Sequence, residues 1–160
     1  MLSTAEIHPI LVHFPIVLIV LLAAMDAVAW LRGVALTGRG AYATMSAATA
    51  ALAGIFAVLT YMFGDIAAEI AMSNGVPDAM IETHEGAGTT AAALLGIWAL
   101  FRAYAWWRRV SLEGGRAAGV VAVETALFAL VVVTAYFGGQ LVYEHGVNVA
   151  SAAASSAASL

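Results

Sequence analysis

Charge is scarce in this sequence, and cysteine and lysine are absent altogether. Only 10% of the 160 residues are charged, against about 25% in an ordinary soluble protein, so a water-soluble monomer is not expected. Without cysteine there is no disulfide, no iron–sulfur ligand, no thiolate zinc site and no cysteine nucleophile. The formal net charge of -4 has the wrong sign for a nucleic-acid-binding surface. Nucleic acid is therefore excluded as a partner.

Long apolar blocks take the place of the missing charge. Hydrophobic residues make up 63% of the chain, and a helix needs about 20 mainly apolar residues to cross a bilayer. The alternation of a membrane β-barrel strand is absent, and an open sheet would leave backbone groups unpaired in hydrocarbon. The sequence thus predicts an all-α integral membrane protein, a four-helix bundle. The predicted spans are residues 9–31, 41–63, 87–107 and 117–143.

A single transmembrane domain, residues 1–148, is expected to contain all four spans. The long middle connection, Gly64–Gly86, contains a helix stop at Gly75 and a helix start with Pro77 in its first turn. The second and third helices are therefore expected to project beyond the bilayer. Residues 149–160 are small, uncharged and of low complexity, which predicts a disordered tail.

The arginines indicate how the bundle lies in the membrane. Cytoplasmic loops carry an excess of basic residues, and every arginine here lies in or near the first or the third connection. Both connections are therefore expected on the cytoplasmic side, with both chain termini on the outer, periplasmic side of a bacterial inner membrane. The six arginines are Arg32, Arg39, Arg102, Arg108, Arg109 and Arg116.

All four histidines fall toward the outer side in this topology. A helical rise of about 1.5 Å per residue puts them in one layer, and bundles build cofactor and metal sites from side chains on facing helices. His13 ranks first as a ligand because it lies inside the first span, where ionisable groups are costly and usually face the interior. The expected pair is His13 and His84, with His145 next and His8 in a supporting or headgroup-facing role.

Glycines near the histidines suggest what these side chains hold. Gly88 follows His84 by one helical turn, and Gly138 precedes His145 by two turns. The missing side chains leave room for a flat macrocycle whose iron takes neutral imidazoles axially, as in b-type haem. The same small residues also suit close packing of membrane helices, and both interpretations stay open.

The first functional hypothesis is a membrane haem b protein that exchanges electrons with a periplasmic or membrane redox partner. A copper, zinc or iron site that adds Asp65 and Glu69 to the histidines is an alternative. Another alternative is an accessory subunit of a larger membrane complex, whose histidines are structural. No nucleophile elbow, P-loop or dinucleotide-binding pattern occurs, so the chain is not expected to be an enzyme by itself.

Three ionisable residues lie inside the predicted spans near the opposite end of the bundle. Asp26, Arg102 and Glu124 fall about 9 to 12 Å from the arginine-bearing connections. Charges at that depth must pair or line a polar cavity. The pattern favours one structural ion-pair network over a proton or quinone path.

Three motifs resemble those of the bacterial membrane family called domain of unknown function 2231. They are IHPILVHFPIVL in the first span, His84-Glu85-Gly86 at the entry to the third, and GGQLVYEHGV at the end of the fourth. The resemblance covers nearly the whole chain and implies four helices. Because members often accompany Rieske or cytochrome c modules, it also implies a redox setting. The chain contains no such module, so any redox partner would be a separate polypeptide. The family's histidine motifs fall on His8, His13, His84 and His145.

Overall fold

The computed structural model describes residues 4–147 of the chain. All regular structure in these residues is helical, which confirms the predicted all-α class. The predicted disordered tail, residues 149–160, lies outside the described residues. The helices are α1 (Thr4–Leu11), α2 (His13–Leu31), α3 (Ala41–Ser73), α4 (Asp78–Arg108) and α5 (Gly114–Tyr143).

The first two helices are parts of one rod that is interrupted at Val12. The amide of Val12 still donates a hydrogen bond to the carbonyl of His8 at 3.1 Å, so the helical path continues through the break. Pro15 has no amide hydrogen to donate to the carbonyl of Leu11, and α1 ends at that leucine. With α1 and α2 counted as one rod, the described chain has the four predicted helices.

The helices form a square in which consecutive rods are neighbours. Both α2 and α4 pack against α3 and α5, which puts α2 diagonally opposite α4, and α1 packs against α3. Because the rods alternate in direction, the first and last described residues lie at one end, here called the histidine end. The connections 32–40 and 109–113 lie at the other, here called the arginine end.

Three of the rods are long and apolar enough to cross a membrane: Glu6–Leu31, Ala41–Ser73 and Gly114–Tyr143. The 31 residues of α4 match them in length but not in apolarity, because glycines, threonines and Arg102 dilute its apolar side chains. Length and composition therefore support three of the four predicted spans, and α4 runs between α3 and α5.

The middle connection is short because the helices on either side extend toward it. At about 1.5 Å per residue, the 33 residues of α3 cover about 50 Å, against about 30 Å of hydrocarbon. Gly75 adopts a positive φ of 91° just after α3 ends, so the predicted helix stop is confirmed. Pro77 directly precedes α4 instead of lying in its first turn.

Small side chains fill the interior, and large apolar side chains face outward. More than half of the buried hydrophobic residues are alanines, whereas Leu31 and Leu100 are 75% and 73% exposed. A methyl group added to Gly54 of α3 would lie 2.5 Å from Cβ of Ala99 on α4. Helices in lipid associate through such close packing of small residues, and α3 and α4 follow that rule.

The two halves of the bundle repeat one another. The first hairpin (α1–α3) and the second hairpin (α4–α5) each place a left-handed residue after their first rod, Gly33 with φ of 68° and Arg109 with φ of 53°. Both rods end on similar sequences, DAVAWLR at 26–32 and RAYAWWR at 102–108. The return helices also contain similar segments, TYMFG at 60–64 in α3 and TAYFG at 134–138 in α5. Equivalent residues of the two hairpins therefore face each other across the bundle.

Candidate functional site

The imidazoles of His8 and His84 meet inside the histidine end. Their ring centroids are 6.2 Å apart, and the ring planes are inclined at 78°. Both residues are partly buried. Since α1 and α4 do not pack directly against each other in the described structure, the two rings connect opposite corners of the helix square. We refer to these two side chains as the histidine pair.

Each imidazole is held by the return helix of its own hairpin. Nδ1 of His8 lies 3.0 Å from the carbonyl oxygen of Thr60, and Nδ1 of His84 lies 3.1 Å from that of Thr134. A carbonyl only accepts, so Nδ1 is the donor in both rings, and the neutral ring carries its lone pair on Nε2. No hydrogen bond to either Nε2 is present within residues 4–147. The pair therefore offers two nitrogen lone pairs to a ligand.

A glycine lies against each ring, one turn beyond the accepting carbonyl. A methyl group added to Gly64 would lie 2.9 Å from the His8 ring, and one added to Gly138 would lie 2.9 Å from the His84 ring. Any side chain at these two positions would displace the imidazole from its carbonyl. Glycine is thus required by the close approach of ring to helix, and both hairpins use the same arrangement.

The two threonines differ in their hydroxyl groups. Oγ1 of Thr134 donates a hydrogen bond to the carbonyl of Leu130 at 2.9 Å. Oγ1 of Thr60 is buried and has no partner among the described residues. An unpaired buried hydroxyl costs about 1–3 kcal/mol, and this one belongs to the residue whose carbonyl holds the His8 ring.

His13 does not reach the histidine pair. It is exposed, and it follows His8 by five residues, which turns a helix by about 140° relative to that side chain. The two histidines of this motif therefore cannot both face the interior. The sequence predicts His13 as the partner of His84 and a supporting role for His8. In the structure, His8 is the histidine whose ring lies next to that of His84.

His145 and Gly88 lie outside the contact between the two rings. His145 is exposed and lines an open pocket of about 280 Å³ together with His84 and Gln140. Gly88 has open space beside it, whereas Gly138 lies against His84 and not against His145. Of the two glycines that the sequence singled out, Gly88 and Gly138, only Gly138 therefore lies against an imidazole.

The carboxylates proposed for a metal site lie on the exposed surface of the described structure. Asp65 and Glu69 are both exposed. Within residues 4–147, no three histidine, aspartate or glutamate side chains are arranged so that they could hold a metal ion. The described structure thus offers two imidazoles and no third histidine, aspartate or glutamate beside them.

The predicted ion-pair network is present near the arginine end. Arg102 forms salt bridges with Asp26, at 2.6 Å, and with Glu124, and all three side chains are almost completely buried. Three neutral side chains that no sequence pattern had singled out complete this cluster. They are Tyr42, Ser46 and Trp98.

A helical-periodicity signal in the sequence points to the histidine pair. His8 precedes Asp26 by 18 residues, and His84 precedes Arg102 by 18 residues, which is about five full helical turns. A charge inside a span must face the interior, so the residue five turns away on the same rod faces the interior too. This argument selects His8 over His13.

Comparison with known protein families matches residues 4–151 to the family described as "Predicted membrane protein (DUF2231)". The chain belongs to this family. The match agrees with the resemblance seen in the motifs, and the family is a predicted membrane protein of unknown function. No curated protein and no solved structure matches the chain.

Proposed function

We propose that this membrane protein binds a b-type haem through His8 and His84 and serves as an electron-transfer subunit. The observation that carries the proposal is the matched support of the two rings, each of which donates from Nδ1 to a backbone carbonyl. Metal-bound histidines usually donate their second ring nitrogen in this way, which fixes the tautomer and orients the ring.

The separation of the rings also supports a shared metal. Bonds of about 2 Å between metal and imidazole nitrogen put the centroids of two rings on opposite sides of one ion about 6 Å apart. The rings of His8 and His84 are 6.2 Å apart. The donors present therefore suit an ion that needs two axial imidazoles.

Haem is favoured over a bare copper, zinc or iron ion by the number of protein ligands. Zinc sites use three or four side chains, and the described residues provide no such group. A haem would bring nitrogen ligands of its own to the iron, so His8 and His84 would be enough to hold it. Asp65 and Glu69 have no role in this proposal.

When bound, haem would supply one-electron exchange, and the protein would supply the binding and its position. His8 and His84 would hold the iron, and the carbonyls of Thr60 and Thr134 would orient the rings. The arginine distribution supports an outer location of the site in a bacterial inner membrane. The electron partner would then be a separate periplasmic or membrane redox protein.

Absorption spectra and haem content of protein purified in detergent from haem-replete cells test the proposal. The wild type should show a Soret band and sharp bands on reduction, at about one haem per chain. His8→Ala and His84→Ala should lose most of the haem, whereas the exposed His13→Ala and His145→Ala should keep it. Elemental analysis of the same samples separates haem iron from a bare metal ion.

Three results would overturn this assignment. A colourless wild type without metal, purified with a stoichiometric partner, would favour the accessory-subunit alternative. Copper or zinc without haem would favour the metal-ion alternative. Loss of haem in His13→Ala but not in His8→Ala would show that the wrong histidine is assigned.

A further inference from the structure

The buried cluster near the arginine end has one more carboxylate than it has cations. Asp26 and Glu124 are both 0% exposed, and Arg102 is 1% exposed. Arg102 is the only buried cation within residues 4–147, and the other five arginines are all exposed. If both carboxylates were ionised, the cluster would carry an uncompensated negative charge inside the bundle. An unpaired buried charge is strongly destabilising.

Both oxygens of Asp26 have hydrogen-bond donors. Oδ2 accepts from Arg102 at 2.6 Å, and Oδ1 accepts from the hydroxyls of Tyr42 at 2.6 Å and Ser46 at 2.7 Å. Ser46 in turn accepts from Nη2 of Arg102 at 2.6 Å. Three donors, one of them the guanidinium of Arg102, therefore satisfy both oxygens of this carboxylate.

Glu124 is less well supplied. Its Oε1 accepts hydrogen bonds from Arg102 and from the indole nitrogen of Trp98, at 3.3 Å for the latter. Its Oε2 is buried and has no partner among the described residues. A bare carboxylate oxygen in that position would carry an unpaired buried charge, whereas the hydroxyl group of a neutral acid leaves only an unpaired O–H, which costs much less.

The repeat of the two hairpins identifies Glu124 as the additional charge. Asp26 and Arg102 occupy equivalent positions at the ends of their rods and form a neutral pair. Glu124 precedes Thr134 by ten residues, and Ala50 precedes Thr60 by ten residues, so the first hairpin has alanine at the position of Glu124. Glu124 is therefore a second carboxylate beside a pair that is already balanced without it.

We propose that Glu124 is a proton-binding site, with the proton on Oε2 in the folded protein at neutral pH. The groups that face it are Asp26 of α2, Tyr42 and Ser46 of α3, and Trp98 and Arg102 of α4. None of them is a second cation, so a proton is the available neutralising partner. His84 precedes Arg102 by 18 residues on α4, which is about 27 Å at about 1.5 Å per residue. The histidine pair is therefore far from the cluster around Arg102, and the proposal does not depend on haem.

Infrared spectroscopy of the protein in lipid nanodiscs at neutral pH tests this site. The wild type should show the carbonyl stretch of a protonated carboxylic acid, with a small shift in heavy water. Incorporation of glutamate labelled at its side-chain carboxyl carbon should move this band, whereas labelled aspartate should leave it in place. The other glutamates with described surroundings are not buried, so none of them shares the enclosed environment of Glu124.

Two variants complete the experiment. Glu124→Gln should abolish the band and keep the helical circular-dichroism spectrum, while Ser46→Ala should keep the band. Absence of the band in the wild type would overturn the proposal, and so would a band that moves with labelled aspartate. Because the labelling uses wild-type protein, the result stands even if a variant fails to fold.

Discussion

His8 and His84 occupy equivalent positions in two copies of one helical hairpin, and their rings meet 6.2 Å apart. Each ring donates to a threonine carbonyl of its own return helix and lies against a glycine one turn further on. At the other end of the same rods, Asp26 and Arg102 form the corresponding contact, a buried salt bridge. The bundle thus has a pair of equivalent residues at each end.

The glycine against His84 is expected to control ligand binding. Gly138→Ala puts a methyl group 2.9 Å from the ring and should separate Nδ1 from the carbonyl of Thr134. Loss of such a supporting hydrogen bond typically weakens metal binding about 10- to 100-fold. Haem titration of the purified apoprotein measures the effect. Gly139→Ala, where the added methyl meets open space, is the matched control, and equal affinities would argue against the proposed ligand.

Removal of the buried guanidinium should be the most damaging change at the arginine end. Arg102→Met leaves Asp26 and Glu124 buried without a cation, which should lower the free energy of unfolding by about 3 to 5 kcal/mol. Denaturant titration in micelles, followed by circular dichroism, measures it. The exposed Arg39→Met should change stability by less than about 0.5 kcal/mol, and a similar loss in both variants would contradict the interpretation.

The contact between α3 and α4 predicts a difference between two glycines of the same interface. Gly54→Ala would bring a methyl group within 2.5 Å of Cβ of Ala99, whereas Gly96→Ala meets only a Val58 methyl at 3.7 Å. Overpacking of this kind costs about 1 to 3 kcal/mol. The midpoint of thermal unfolding should fall for Gly54→Ala and stay constant or rise for Gly96→Ala. A fall of equal size in both variants would rule out the close contact.

The end of α4 offers a stabilising substitution. Arg109 has a positive φ of 53°, a conformation that costs a non-glycine residue about 1 to 2 kcal/mol, and the equivalent residue of the first hairpin is Gly33. Arg109→Gly should therefore raise the free energy of unfolding by about 1 kcal/mol. Arg108→Gly, one residue earlier in helical conformation, should lower it by about 1 kcal/mol. The same denaturant titration compares both with the wild type.

Much of this architecture follows from composition and periodicity. Apolar blocks of membrane-spanning length leave a helix as the only way to satisfy the backbone, and the stop at Gly75 marks where α3 ends. Asp26, Arg102 and Glu124 could be assigned to one network because charges inside a span at similar depth have few other partners. Depth along a helix is fixed by residue number alone.

The choice of histidine was not settled by depth. His13 lies deeper in the span than His8, but the two side chains point about 140° apart around the helix. Only His8 faces the interior of the bundle, where its ring lies next to that of His84. The rotational argument from Asp26 was available in the sequence and would have favoured His8. The neutral members of the buried cluster, such as Tyr42, carried no comparable signal because hydroxyl groups also occur elsewhere in the helices.

Helical structure, apolar character and the separation of the histidines from the buried charges can all be predicted from the amino-acid sequence. These are properties of single helices, set by their length, composition and rise per residue. Only the assembled bundle shows that His8 meets His84, that Gly138 makes room for the ring, and that Oε2 of Glu124 has no partner among the described residues. Those facts depend on how the helices are rotated and spaced against one another, which close packing of alanine and glycine fixes only when all four rods are assembled.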